Sequence, residues 1–184
     1  MTGFSTLRVP GRPTLAHVDP DVLETYRFAD GGGFPESYRG FVRSLGWGRL
    51  FGLWLVYPPV LEGYADGWRA RSRILTERLR EAYRDGQDEG YDWMIEPDGD
   101  WSLVDSLQVF AFSENGDVLL WDTAVRDGRG EFPVYCSQKM NSLRLLGPSL
   151  EAAAPLLRAE AAAFVSDFDF EPLTAATTIV TTRT

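Results

Sequence analysis

The sequence predicts an α+β domain, a mainly antiparallel sheet flanked by helices, and three observations carry that reading. Two β-rich runs, residues 107–113 and 117–122, flank Glu114-Asn115-Gly116, and Asn-Gly is the favoured pair where both residues of a tight hairpin turn need positive φ. Elsewhere apolar residues return at helical spacing: Tyr38, Phe41, Val42 and Leu45 fall at i, i+3, i+4 and i+7. A length of 184 residues suits one domain, and 44% hydrophobic content with 13% aromatics supplies a core that needs no metal or disulfide staple.

Residues 1–18 read as an extended arm, because Pro10, Gly11 and Pro13 interrupt any helix. A first helix is expected over 19–29: Asp19 can cap it, Pro20 suits its first turn, and Gly31-Gly32-Gly33 stops it. The triple glycine lacks the following Lys-Ser or Lys-Thr of a phosphate-binding loop and the strand before it, so it reads as a flexible connector. A second helix starts at Phe34-Pro35-Glu36-Ser37-Tyr38 and runs to about Leu45, with Arg39 and Arg43 off its apolar face. After Gly46-Trp47-Gly48, residues 50–57 are aromatic and aliphatic and stop at Pro58-Pro59, which predicts one buried strand.

Helical spacing returns over 67–84, where Trp68, Leu75, Leu79 and Ala82 share a face and Arg69, Arg71, Arg73, Arg78, Arg80 and Arg84 occupy the others. Beyond the hairpin a strand is expected at 132–136 and a further one at 143–146. Ser149 can cap a last helical region holding Leu150, Ala153, Leu157, Ala161 and Phe164, and Pro155 is expected to kink it or split it in two. The threonine-rich stretch 174–184 favours extended structure or frays. The divisions are therefore an arm at 1–18, a domain at 19–170 and a tail at 171–184.

Charge excludes several functions. Twenty-seven acidic against 18 basic side chains leave a net charge of -9, which repels phosphate backbones and anionic membrane surfaces. Neither nucleic acid nor a membrane is an expected partner; a protein carrying positive charge is. The longest nearly continuous apolar run, 50–60, is too short to span a bilayer and is interrupted by Gly52. The single cysteine, Cys136, has no intrachain partner, and Met1-Thr2-Gly3-Phe4 lacks the basic and apolar regions of a secretory signal, so the reducing cytoplasm is the expected compartment.

The one histidine, His17, would have to serve as base in any triad or Cys–His dyad. One His and one Cys also fall short of the ligand set zinc takes. An enzyme built on carboxylates alone needs two acids held close in unlike environments, a geometry that no spacing here specifies. No catalytic residue, metal or cofactor is expected.

Residues 85–105 are a segment of another kind. They hold Asp85, Asp88, Glu89, Asp92, Glu96, Asp98, Asp100 and Asp105 with no Lys or Arg, interleaved with Tyr91, Trp93, Met94 and Trp101. One reading is a docking surface, in which aromatics supply desolvated contact area and carboxylates steer a basic partner. The other is a loop whose aromatics cover the sheet and whose acids answer the arginines just before it. The candidate partner-binding residues are Asp88, Glu89, Asp92, Trp93, Glu96, Asp98 and Asp100.

Three motifs stand in a fixed order. Phe34-Pro35-Glu36-Ser37-Tyr38-Arg39-Gly40-Phe41 is an apolar residue, Pro, two variable residues, an aromatic, and a second aromatic three positions on. Phe110-Ala111-Phe112-Ser113-Glu114-Asn115-Gly116-Asp117-Val118-Leu119-Leu120-Trp121-Asp122-Thr123 is a Phe-rich strand, an Asn-Gly turn and a strand ending at Asp-Thr, and Pro133-Val134-Tyr135 follows. Over residues 34–157 the chain thereby resembles the SUKH superfamily, also called Smi/Knr-type domains. It departs from the pattern at Gly46-Trp47-Gly48, where many members have a polar Asn-Gly turn, and in the long acidic, aromatic stretch before the hairpin.

The resemblance implies an α+β domain without shared catalytic residues. Many bacterial members are immunity proteins that bind and block a cognate polymorphic toxin, often a nuclease. The expectation is a non-enzymatic protein that neutralises a cognate toxin by direct binding; the alternative is an intracellular regulatory or scaffold module of the same family with no toxin partner.

Overall fold

Residues 3–163 and 167–178 are described by the computed structural model. After a 3-10 turn at Gly3–Thr6 come α1 (Pro20–Thr25), α2 (Glu36–Leu45), β1 (Gly48–Leu50), β2 (Trp54–Val56), α3 (Trp68–Asp88), β3 (Leu107–Ser113), β4 (Val118–Asp122), β5 (Val134–Ser137), β6 (Arg144–Gly147), α4 (Leu150–Glu160) and β7 (Phe170–Pro172). The strands form one antiparallel sheet in the order β6-β5-β4-β3-β2-β1-β7, with the four helices packed against it. Six strands are thus a meander in chain order, and the seventh returns to the outside of β1. Among the described residues no helix is long and apolar enough to cross a membrane.

The β3–β4 hairpin is the middle of the sheet, and every side chain of β4 is buried. Its turn is the connection 114–116 expected between the strands, without the positive φ expected at both Asn115 and Gly116. Of the turn residues only Gly116 has positive φ, at 92°. Its N–H donates to the Ser113 carbonyl at 3.0 Å, and the Ser113 N–H donates to the Asp117 carbonyl at 2.8 Å. The buried Ser113 Oγ accepts from the amides of Asn115 and Asp117, so a three-residue loop organised by a serine closes the hairpin.

Residues 50–57 are a hairpin rather than the single strand expected. Phe51 and Gly52 take φ of 52° and 70°, which reverses the chain between β1 and β2. Phe51 holds this conformation because it is locked on both counts: its ring is buried and its N–H donates to the Asp169 carbonyl at 2.7 Å. Both strands are three residues long, too short for alternation to mark a break.

α1 stops at Thr25 rather than Ala29, with Asp19 Oδ1 accepting the Val22 N–H at 3.0 Å as its cap. The chain then folds into a tight loop. Gly31 N–H donates to the Phe28 carbonyl, Phe28 N–H to the Gly32 carbonyl, and Gly32 N–H to Asp30 Oδ1. Arg126 clamps this loop: its guanidinium lies 4.0 Å from the centre of the Phe132 ring and bonds Asp30. A Cβ on Gly32 would sit 2.5 Å from Arg126 Nε, so of the three glycines Gly32 is the one the guanidinium packs on, while Gly31 has open space around it.

α3 runs four residues beyond its expected end, passing the first half of β3 where β2 does not reach. Side chains there stand in for a neighbouring strand. Thr76 Oγ1 accepts the Val109 N–H at 3.0 Å, and Arg80 donates to the carbonyls of Asp105 and Leu107. α4 is capped by Ser149 as expected but runs as one helix through Pro155. Phe164 and residues 179–184, expected in the last helix and the tail, lie outside the described residues.

A buried carboxylate ties the helices to the sheet. The Ser37 N–H and hydroxyl donate to Glu131 at 2.7 and 2.6 Å, and Ser37 Oγ accepts the Leu150 N–H at 3.2 Å, joining the first turns of α2 and α4. Burial pushes the Glu131 carboxyl up, against the two Ser37 bonds.

The stretch read as an extended arm is stitched along its length. Phe4 packs edge-on to Phe41, Thr14 accepts the Trp47 N–H, and His17 accepts the Leu61 N–H through its carbonyl. The division drawn between 170 and 171 falls inside β7. Past it, the Thr178 N–H donates to Gly63 at 2.8 Å. One residue secures both termini: Asp169, 2% exposed, accepts from the Arg8 amide at 3.0 Å and side chain, and pairs with Arg158 at 2.8 Å. Burial acts to raise its carboxyl, but the Arg8 bonds and the Arg158 charge outweigh that and hold it below its ordinary value.

Asp169→Asn is expected to cost about 2 kcal/mol, the scale of hydrogen bonds to a charged group. Because the folded pKa is depressed, the carboxylate contributes stability above the unfolded carboxylate range and loses it as pH falls through the folded value. Urea unfolding from neutral pH downward should show a steeper acid loss for the wild type than for the variant.

Candidate functional site

The seven residues singled out in the sequence all lie on one excursion between α3 and β3, and all seven are exposed. The excursion begins where α3 ends. Asp88 is the last helical residue and Glu89 the cap, its N–H donating to the Asp85 carbonyl. A 3-10 turn at Asp92–Ile95 folds the chain back, seated by Met94 against Gly86, where a Cβ would lie 2.1 Å from the Met94 sulfur. That missing Cβ lets the segment lie flat on the helix.

The chain next runs along the outer edge of the sheet. Leu143 N–H donates to the Glu96 carbonyl at 2.9 Å and Asp98 N–H donates to the Leu143 carbonyl at 2.9 Å, a pairing just ahead of β6. Asp98 Oδ2 then accepts the Leu145 N–H of β6 at 3.0 Å. Asp100 caps a second 3-10 turn at Trp101–Leu103, its Oδ1 accepting the Ser102 amide at 2.8 Å and the Ser102 hydroxyl. Those bonds hold its carboxyl below the usual range. Tyr135 is pushed up by burial first and then by the charges of Asp122, Asp98 and Asp100.

The predicted set therefore separates into two groups. Asp92, Asp98 and Asp100 organise the excursion, Asp92 by accepting the Trp101 indole N–H at 2.9 Å. Asp88, Glu89, Trp93 and Glu96 do not do so through their side chains; the three acids make no ion pair among the described residues. Trp93 is 52% exposed and stacks on Tyr91, 44% exposed, with ring centres 5.8 Å apart and 27° between planes. Tyr91 belongs to the same surface, and only its partnership with Trp93 in three dimensions marks it.

The two sequence readings of this segment are each met in part. Met94 and Trp101 cover the structure beneath, as a sheet-covering loop requires. Of the acids in this segment, Asp105 alone pairs with an arginine of α3 among the described residues. Arg84 reaches Asp105 at 3.5 Å, while Arg71 pairs with Asp66, Arg73 with Glu77, and Arg80 with carbonyls. Asp85 and Asp88 lie in the last turns of α3, where the macrodipole favours cations, and the last turn carries no base. Carboxylates here work against the helix that bears them.

The other groups considered as reactive are interior. Burial lowers His17, which is 2% exposed, packs on Tyr64 and leaves Nδ1 without a hydrogen bond among the described residues. Cys136 is 2% exposed, and burial, then the charge of Asp117, push its thiol up to about 12. Among the described residues no cluster of His, Cys, Asp and Glu has the arrangement of a metal site. What the 85–105 face offers chemically is solvated carboxylates around two stacked ring faces. Compared with models of known protein families and with curated proteins, the chain matches none.

Neutralising the free acids together, Asp88→Asn, Glu89→Gln and Glu96→Gln, should leave stability within about 0.5 kcal/mol of wild type or slightly raise it, since the helix terminus loses an unfavourable charge. Asp98→Ala should cost about 1 kcal/mol by exposing the β6 edge. Chemical denaturation of the two variants separates surface acids from structural ones.

Proposed function

We propose that this chain is a non-enzymatic immunity protein of SUKH type, which neutralises a cognate toxin in the cytoplasm by seating the face around Asp88, Glu89, Trp93 and Glu96 on the toxin's basic surface. The observation that carries the reading is the stacked Tyr91–Trp93 pair, half exposed, on the segment where Asp88, Glu89 and Glu96 make no ion pair among the described residues. Buried rings give a docking partner desolvated contact area, and a Trp face takes an Arg guanidinium directly. A nuclease is the kind of toxin the charge favours, because its groove must be basic to hold phosphates and an acidic surface competes for that groove. The buried Cys136, the buried His17 and the solvated state of the acids support a protein that acts by contact rather than by chemistry.

Charge reversal tests this. Asp88→Lys, Glu89→Lys and Glu96→Lys together should weaken binding to a basic toxin domain by about 100-fold or more, mostly at low salt, and abolish rescue of cells expressing that toxin. The toxin is found by co-purification from the source cell with mass spectrometry. Unchanged affinity in the reversed variant removes the face from the mechanism, and recovery of a resident housekeeping protein with no rescue replaces the toxin reading with the regulatory one.

A further inference from the structure

α3 is rich in arginine over its first half, and its last turn, with Asp85 and Asp88, leads into the acidic excursion. From Arg69 to Arg80 five arginines stand against Glu77 alone, whereas residues 85–100 hold seven carboxylates and no base. Twenty-one helical residues extend about 31 Å, so the two poles are well apart on one rod. Each pole has aromatic side chains beside it. The acidic end presents the Tyr91–Trp93 stack. The basic end borders a cleft of about 380 Å³ walled by Tyr26, Trp68 and Gln108, with Arg69, Arg73 and Arg80 outnumbering Glu77 along its α3 side. Arg69 and Arg78 make no ion pair among the described residues, and Ile74 on the same half is 38% exposed.

We infer that α3 is a self-association surface whose occupant is a second copy of this chain, the two helices antiparallel about a two-fold axis, with the Tyr91–Trp93 stack of each copy in the cleft of the other. Only an antiparallel arrangement sets each basic half against an acidic end, and it also opposes the two macrodipoles. The contact is self-complementary and therefore closes at two copies. Solvated ion pairs alone contribute too little to hold a dimer, and the aromatic anchor in a cation-rimmed cleft supplies what they lack. Each copy's net charge of -9 opposes association, but at ionic strengths of about 0.15 M the screening length is about 8 Å, which damps that repulsion while leaving contact pairs largely intact. Association is thus strongest near physiological salt and weaker at both about 0.01 M and about 1 M. The inference does not depend on a toxin; it adds that any basic partner of the acidic face binds in competition with the second copy.

Sedimentation of the full chain at about 0.15 M salt, up to about 0.5 mM protein, should show a monomer–dimer equilibrium with a Kd in the micromolar range. Trp93→Ala, the pair Arg69→Glu with Arg73→Glu, and the pair Asp88→Arg with Glu89→Arg should each weaken it at least about tenfold, with the fold intact by circular dichroism. Mixing the two charge-reversed variants should restore a one-to-one dimer. A monomer at every concentration, or a dimer indifferent to both reversals, overturns the inference. The Arg69 and Arg73 reversal keeps the acidic face whole, so a variant that is monomeric yet still binds a basic toxin separates this inference from the docking reading.

Discussion

Trp121 is the point on which the rest of the structure hangs. Its ring stacks on Phe110 with centres 4.3 Å apart and 10° between planes, meets Tyr38 edge-on at 5.0 Å, and touches Phe28, Phe34 and Phe132. Those rings come from β3, α2, the loop after α1 and the approach to β5, so one side chain sets the distance between the helical layer and the sheet. An indole buried among aromatic edges contributes both its area and the favourable geometry of offset and edge-on contacts. With β4 held there, β5 and β6 take their places outward, and β6 carries the strip of chain that displays the acidic face. The surface proposed for partners is thus positioned from the core, several strands away.

Much of this was legible because local and global signals agreed. Tyr38, Phe41, Val42 and Leu45 recur at helical spacing and form the buried face of α2; Ser149 was placed as a cap and is one. The β3–β4 hairpin was readable in outline, since two long β-rich runs around Asn-Gly admit few alternatives. The conformation of the turn was not, because Ser113 Oγ accepts from two amides and only Gly116 takes a positive φ. The break between β1 and β2 was hidden for a different reason: Phe51 takes a positive φ that its own preferences oppose, and only the Asp169 carbonyl and the surrounding core hold it there.

The candidate face was half legible. Composition marks where the acids are, but a carboxylate that binds a neighbouring amide and one that faces water look alike in a sequence. Asp98 and Asp100 are separated from Asp88 and Glu89 only by what Leu145 and Ser102 present to them. The helix arginines are only partly legible: Arg71 and Arg73 pair with the acids nearest them in sequence, while Arg84 passes over Asp85 to reach Asp105. Gly86, Gly32 and Asp169 are further cases: each acts through a residue distant in the chain, Met94, Arg126 and Arg8 in turn, and spacing carries no trace of that.

The strand order has a consequence for the order of assembly. β1 to β6 pair with their neighbours in the chain, so the meander has all of its partners once residue 147 has been synthesised, and short loop closures favour its early formation. β7 is different: it joins residues 170–172 to residues 48–50, across the whole of that meander. The outer edge of β1 and the seat of Arg8 therefore stay vacant on a ribosome-bound chain until residues 169–172 emerge, and a nascent chain paused before residue 169 presents an open sheet edge to chaperones.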